Sequence, residues 1–387
     1  MNTPLSQLGT LSVRDFLTDY WQKKAIFLPR VLPDFRSPLS PDEIAGLALE
    51  EDIESRLIIN TDDAPWQLEN GPFNEERFAQ LPASDWSLLV NAVDHWVPEI
   101  TDLLRLFRFI PNWRLDDIMV SYAPTGGSVG PHFDYYDVFL IQAEGERHWQ
   151  LGQMCDSQTA LQEGTNLKIL RDFTTASEHT AKPGDILYIP PGVAHWGKAL
   201  DDQCVTYSIG FRAPSHADIL GDFAQEQASH LSNDRRFTDP DLSPAQEPGL
   251  IDQHTLTKLK SIILQHLDEP ALADWFGRYM STPKEAGDEY DWHPLSPQEQ
   301  EKLNENNPWI EASPASRFCY HLHNEQKASL FIDGHEYTCN ATLAAELSNH
   351  TRWRWQSLFD VTATADEQTL LYELLARGAL LELDYAN

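Results

Sequence analysis

His132-Phe133-Asp134 and, 63 residues further on, His195 are the side chains in this sequence best suited to holding a reactive metal. Residues i and i+2 of an extended strand project from one face, so the motif is expected on a strand that sets an imidazole beside a carboxylate. A His-x-Asp pair alone arises by chance in many sequences and is most often a plain hydrogen-bonded pair. The second histidine changes its weight. It follows a Lys182-Pro183-Gly184-Asp185 turn, an apolar run Ile186–Ile189 and a Pro190-Pro191-Gly192 turn. Two imidazoles and one carboxylate occupy one face of an octahedral ion and leave positions open, the arrangement suited to non-haem Fe(II) and O2 chemistry, whereas zinc favours a tetrahedral set. His132, Asp134 and His195 are therefore the candidate iron ligands and catalytic residues.

Iron of this kind requires a reductant, most commonly 2-oxoglutarate, whose far carboxylate wants a buried cation opposite the metal. Arg147, 15 residues after His132, opens the run Arg147–Leu151, and its planar fork matches a carboxylate. As part of Gly145-Glu146-Arg147 it would otherwise be a surface turn residue. Ser121 can add a hydroxyl to the same carboxylate. Lys198 and Arg212 are the nearest basic alternatives after the distal histidine.

The elements that must position these groups are short strand-like runs, Ile118–Tyr122, Val138–Ala143, His148–Leu151, Ile186–Ile189 and Val205–Phe211, divided by Gly and Pro turns. They predict an antiparallel sandwich or barrel over 109–215. Residues 1–108 show apolar positions at helical spacing around Val13, Phe16, Leu17 and Trp21 and are expected to form a mostly helical cap. In 216–280, Leu256, Leu259, Ile263 and Leu267 make one apolar helical stripe that must be buried, against the barrel or against a second copy. After the acidic, turn-rich stretch Pro283–Pro297, residues within 281–387 alternate strands and helices. Arg317–Leu322, Ser329–Ile332 and His335–Cys339, the last two joined by Asp333-Gly334, precede helices near Leu343–Ser348 and Asp366–Ala376. This order resembles a winged helix.

The chain has 387 residues, 41% of them hydrophobic with 12 Trp, enough for a substantial core. Sixty acidic against 28 basic residues give a net charge of −32, which repels nucleic acid and anionic membranes and attracts basic partners. From Glu285 onward there are 18 acidic and 6 basic residues, the wrong sign for a DNA-reading winged helix, so no direct DNA binding is expected. Four scattered cysteines without a CxxC pair fit a reducing cytoplasm. Met1–Leu17 lacks a basic leader and an apolar run, and no stretch of about 18 apolar residues occurs, so neither targeting nor membrane insertion is expected. Cys319, His321, His323 and Cys339 match no strong zinc spacing, Trp353-Arg354-Trp355 suits helix packing better than base stacking, and His148 faces away from Arg147 on a strand.

The run Gly126-Gly127-Ser128-Val129-Gly130-Pro131-His132-Phe133-Asp134-Tyr135-Tyr136-Asp137-Val138-Phe139 continues through Gln142, Gly145, Arg147 and Trp149. Together with Pro190-Pro191-Gly192-Val193-Ala194-His195 it resembles the signature of the bacterial Jumonji-C ribosomal oxygenases. The resemblance extends along nearly the whole chain. It implies an α+β protein with a double-stranded β-helix core of the cupin and Jumonji-C kind, a helical N-terminal cap, a helical dimerisation region and a C-terminal winged-helix-like domain. It further implies Fe(II) on His132, Asp134 and His195, 2-oxoglutarate on Arg147 with Ser121 beside it, and a homodimer. The substrate it implies is an arginine side chain of large-subunit ribosomal protein sixteen. An acidic surface suits so basic a partner, and Asp116, Asp117, Asp137, Tyr135 and Tyr136 are unranked candidates for the guanidinium. Three other readings stand beside this one: an oxygenase acting on another protein, RNA or a small molecule; a sensor with a DNA-binding winged helix; and a non-catalytic module that binds a ribosomal protein.

Overall fold

In the computed structural model, which describes residues 3–61, 64–284 and 292–383, the first unit of the chain spans 1–213 and the second 214–387. The first is organised by strand alternation. In chain order its main strands are β1 (Ile26–Leu28), β2 (Ser55–Thr61), β3 (Ala64–Asn70), β4 (Trp86–Val90), β5 (Leu115–Ala123), β6 (Val138–Glu144), β7 (Arg147–Met154), β8 (Ser177–Ala181), β9 (Ile186–Ile189), β10 (Val193–Ala199) and β11 (Cys204–Phe211). An eight-stranded sheet runs β1-β9-β6-β11-β5-β4-β2-β3, and a three-stranded sheet runs β8-β7-β10. All pairings in both are antiparallel.

Alternate residues of the same strands build two different interiors. Val138, Leu140, Leu187 and Ile189 of the large sheet meet Trp149, Leu151, Ala181 and Val193 of the small one, so the two sheets face each other across an apolar floor. Phe139, Ile141, Tyr188, Tyr207 and Phe211 point the other way, into a larger core shared with the N-terminal segment. This is the cupin-type double-stranded β-helix.

The N-terminal segment supplies helices α1 (Val13–Asp19), α2 (Pro41–Leu47), α3 (Glu75–Ala79) and α4 (Pro98–Leu106), but also β1 to β4. The expectation of a mostly helical cap is thus corrected: four of its segments extend the large sheet. Leu57, Ile58 and Ile59 show the reason, since a consecutive apolar run in which all three side chains are buried suits a strand covered on both faces. Phe16 of α1 seals the outer face of the sheet, with its ring 4.9 Å from Tyr188 and 5.4 Å from Phe139.

The second unit contains helices α5 (His216–Ser229), α6 (Gln253–Leu264), α7 (Glu269–Ser281), α8 (Pro297–Asn306), α9 (Ala341–Asn349), α10 (Trp355–Asp360) and α11 (Ala365–Ala376). Its strands are β12 (Trp309–Ala312), β13 (Phe318–Leu322), β14 (Lys327–Ile332), β15 (His335–Asn340), β16 (Arg352–Arg354) and β17 (Leu380–Leu383), paired as β13-β14-β15 and β16-β12-β17. Asp333 and Gly334, at φ 49° and 82°, make the tight hairpin turn their sequence predicts. Trp353 and Trp355 are buried in this core. Among the described residues the Cys319, His321, His323 and Cys339 set does not gather around a common point: Cys319 donates to the Gly277 carbonyl and His323 Nε2 meets Ser329 Oγ at 2.9 Å. Residues 285–291 of the Pro283–Pro297 stretch lie outside the described residues. The apolar stripe of α6 is uncovered, with Leu256, Leu259, Ile262, Ile263, Leu264 and Leu267 between 38% and 63% exposed. Among the described residues no helix is long and apolar enough to cross a membrane.

Candidate active site

His195 is the third residue of β10 and points between the two sheets. His132 lies outside the named strands, in the β5–β6 connection, where it forms a single bridge with His195. The His132 N–H donates to the His195 carbonyl at 3.1 Å and the His195 N–H to the His132 carbonyl at 2.8 Å. The expected His132–Asp134 strand is therefore absent. A crossed backbone pair brings the histidines together, and a hydrogen bond from the Gly192 N–H to the Asp134 carbonyl, 2.7 Å, fixes the carboxylate beside them.

The imidazole rings stand 4.2 Å apart between centroids. In each ring Nδ1 meets a backbone carbonyl, Gly130 at 2.9 Å for His132 and Val193 at 3.0 Å for His195. A carbonyl only accepts, so Nδ1 carries the hydrogen and Nε2 keeps a lone pair, the orientation that supports a metal-binding histidine. Asp134 Oδ2 lies 3.6 Å from His195 Nε2 and 3.9 Å from His132 Nε2. All three ligand atoms fall within 4.8 Å of one another, and no second such group occurs among the described residues. Bond lengths of about 2.1 Å put neighbouring ligand atoms about 3–4 Å apart, so the set fits a divalent ion. Burial, reinforced by His132 and opposed by Asp134, pushes His195 down to about 4, so it stays neutral and able to ligate at neutral pH. His195 is enclosed while His132 and Asp134 are partly exposed, which opens the site on one side.

Arg147 shares the inner face of the small sheet with His195. It pairs with Ala199 of β10 and Ala181 of β8, while His195 pairs with Leu151. About 13 Å of strand separates the two rows, a gap to be shared by the arginine side chain and a five-carbon dicarboxylate. Arg147 is only 3% exposed, and its guanidinium donates to Cys204 Sγ at 3.3 Å and to Ser121 Oγ at 3.4 Å and makes no ion pair among the described residues. Lys198 is exposed on the opposite face of β10, and Arg212 Nε lies 4.0 Å from Asp116.

Trp149 bridges the two parts of the site, 5.6 Å from the Arg147 guanidinium and 6.2 Å from the His195 ring. Its ring lies flat on Gly197, where an added Cβ would come within 2.6 Å of Cζ3. Gly197→Ala should displace the indole. A shift of about 1 Å in such a wall is expected to raise the 2-oxoglutarate KM about tenfold or more, measured as succinate release against cosubstrate concentration; an unchanged KM would show that Trp149 does not shape the pocket.

Of the acidic and aromatic candidates for substrate contact, Asp137 is fully buried and accepts from Tyr188 (2.6 Å), Gln22 (2.9 Å) and Arg114 (3.2 Å), a structural role. Burial, the dominant influence, raises its pKa against those hydrogen bonds. Tyr135 and Tyr136 are exposed, and Asp117 alternates onto the same face of β5 as Ser121.

A JmjC domain model matches residues 102–219, and a ROXA-like winged-helix model matches residues 263–381. The ribosomal protein uL16 3-hydroxylase of Escherichia coli is 39% identical over 273 residues, which are 70% of this chain and 72% of that protein. The chain belongs to the bacterial Jumonji-C ribosomal oxygenases. Solved structures of the family agree along its length. The X-ray structure of E. coli YcfD superposes with a TM-score of 0.87 at 31% identity, covering 97% of this chain and 99% of that one. YcfD in complex with cobalt and 2-oxoglutarate gives 0.81 at 31% identity over 96% and 98% of the two chains. In this ribosomal oxygenase the polar residues around Arg147 that went unnoticed in the sequence are Cys204 and Thr206. Gln142 was noticed only as part of a motif. Small polar residues on a strand carry little signal by themselves; their alternation with Val205 and Tyr207 was the available one.

Proposed function

We propose that this ribosomal oxygenase is an Fe(II)- and 2-oxoglutarate-dependent hydroxylase of an arginine side chain in large-subunit ribosomal protein uL16. In this reading His132, Asp134 and His195 hold the metal, and Arg147, with Ser121 beside it, holds the far carboxylate of the cosubstrate. The observation that carries it is the convergence of two imidazole Nε2 atoms and one carboxylate on the same barrel interior as a buried arginine without an ion-pair partner among the described residues. Iron with 2-oxoglutarate and O2 supplies oxidative decarboxylation to succinate and CO2 coupled to hydroxylation of a substrate carbon. The chain's own residues bind and orient: the Gly130 and Val193 carbonyls hold both imidazoles by Nδ1, Arg147 neutralises the cosubstrate, and the apolar walls Leu140, Trp149 and Ile189 exclude water.

The substrate reading rests on the uL16 hydroxylase among the relatives, on the net charge of −32, and on the Tyr136 hydroxyl beside the metal-site group, which burial first, then Asp134 and then Asp117 raise above its ordinary pKa. Intact-mass measurement of purified uL16 after aerobic incubation with the enzyme, iron and 2-oxoglutarate should show the gain of one oxygen atom, located by fragmentation on an arginine. Succinate formation without that gain would move the activity to another substrate; uL16 binding without succinate would leave only a binding module.

The reading also includes a homodimer formed through residues 216–280, supported by the uncovered α6 stripe, since contiguous exposed apolar surface of this kind marks an association face. Leu259→Glu with Ile263→Glu should shift the protein from dimer to monomer in sedimentation velocity at micromolar concentration, with the first unit's fold unchanged. An identical sedimentation coefficient for variant and parent would remove α6 from the interface.

A further inference from the structure

We propose that Cys204 is a positioning residue of the cosubstrate pocket: with Gln142 and Thr206 it holds Arg147 through a thiol instead of a carboxylate, so that the guanidinium keeps its charge for the incoming dicarboxylate. The inference rests on the reading of Arg147 given above.

A buried arginine has five N–H groups to satisfy, and proteins ordinarily place a carboxylate against them. Here the acceptors are uncommon. Arg147 Nε donates to Cys204 Sγ at 3.3 Å and Nη2 to Ser121 Oγ at 3.4 Å. The sulfur also accepts from Gln142 Nε2 at 3.4 Å. Gln142 is itself held by Thr206 Oγ1, which donates to its Oε1 at 3.0 Å, and by the Glu144 carbonyl, which accepts from its Nε2 at 2.7 Å. Cys204, Gln142, Thr206 and Ser121 are all buried.

The register explains why these side chains meet. Ser121 on β5, Thr206 on β11 and Gln142 on β6 are direct neighbours in one row across the large sheet. Pairing of β11 with β6 shifts between Val205 and Thr206, and Cys204 lies just beyond that shift, opposite Ala123. Arg147 arrives from the small sheet. The sulfur thus receives one donor from each sheet, and pinning the Nε edge turns the forked Nη edge toward the interior. A carboxylate at the same place would neutralise Arg147 and repel a dianionic ligand; an apolar side chain would release the guanidinium from its orientation.

The test measures calorimetric affinity for two keto acids in the full-length protein loaded with Mn(II): 2-oxoglutarate, and 2-oxobutyrate, which lacks the second carboxylate. Cys204→Val keeps the volume without the acceptor and should weaken 2-oxoglutarate about tenfold, the worth of one hydrogen bond to a charged group. It should leave 2-oxobutyrate and Mn(II) affinity unchanged. Cys204→Ser, which retains an acceptor, should stay within about threefold, and Cys204→Asp should lose more 2-oxoglutarate affinity than Cys204→Val. In turnover, KM for 2-oxoglutarate should rise more than kcat falls. Parent-like 2-oxoglutarate binding by both Cys204→Val and Cys204→Asp overturns the proposal, as does an equal loss of both keto acids, which marks a general packing defect. Arg147→Met separates the two readings: if it binds 2-oxoglutarate like the parent, the anchor assignment itself fails, whereas a large loss there with none in the Cys204 variants sinks only the role of the thiol.

Discussion

Asp134→Ala should abolish succinate formation while leaving the fold intact. The carboxylate side chain is 22% exposed and sits outside the cores of the first unit, so its removal opens no cavity in them. What it removes is the only charge-neutralising member of the His132, Asp134, His195 group. Residues that merely orient a ligand are worth about 10–100-fold in metal affinity or activity, so loss of a ligand is expected to exceed about 100-fold. Mn(II) titration and succinate release would both register it. Parent-like turnover by Asp134→Ala, with an unchanged melting temperature, would end the assignment of this group as the metal centre.

Arg147→Met should separate binding from stability in an unusual way. Two charge-assisted hydrogen bonds to the far carboxylate are worth about 1.5–3 kcal/mol each, so affinity for 2-oxoglutarate should fall by about 100-fold or more. Stability should hold or rise, because exchanging buried charge for an apolar side chain of similar volume is often neutral or stabilising by about 1–4 kcal/mol. Arg147 has no ion-pair partner among the described residues, which makes the exchange more favourable still. Calorimetric binding and thermal unfolding on one preparation decide the matter: weaker binding with a lower melting temperature would point to a structural arginine, and unchanged binding would remove it from the pocket.

Much of this was open to a reader of the sequence, though partly for the wrong reason. The closeness of His132, Asp134 and His195 is legible from residue type, but the i, i+2 spacing of the first two points to a strand that the structure does not form. The structure instead uses one pair of backbone hydrogen bonds between His132 and His195 and a third from Gly192 to Asp134. Such contacts depend on chain reversal at Pro190-Pro191-Gly192, which local periodicity does not specify. The strand Val193–Ala199 was hidden in the same way: Ala, His, Gly and Lys have weak strand preference, and pairing with Arg147–Met154 compensates. The strands Ser55–Thr61 and Ala64–Asn70 are hard to read from sequence because a short consecutive apolar run such as Leu57-Ile58-Ile59 fits a buried helix segment as well as a strand. The Asp333-Gly334 hairpin was plain because its signal is wholly local. Cys204 was invisible as chemistry, since its role exists only once two sheets are superposed.

The shared aromatic layer behind the large sheet has one more consequence. Phe16, Trp21 and Phe107 pack, tilted or edge-on, against Phe139, Tyr188 and Phe211, rings contributed by both the leading segment and the strands that carry the site. A fragment cut to the barrel at 109–215 would bare that layer to water and stick to itself. Engineering that grafts this catalytic cassette elsewhere must carry the first hundred residues along as ballast.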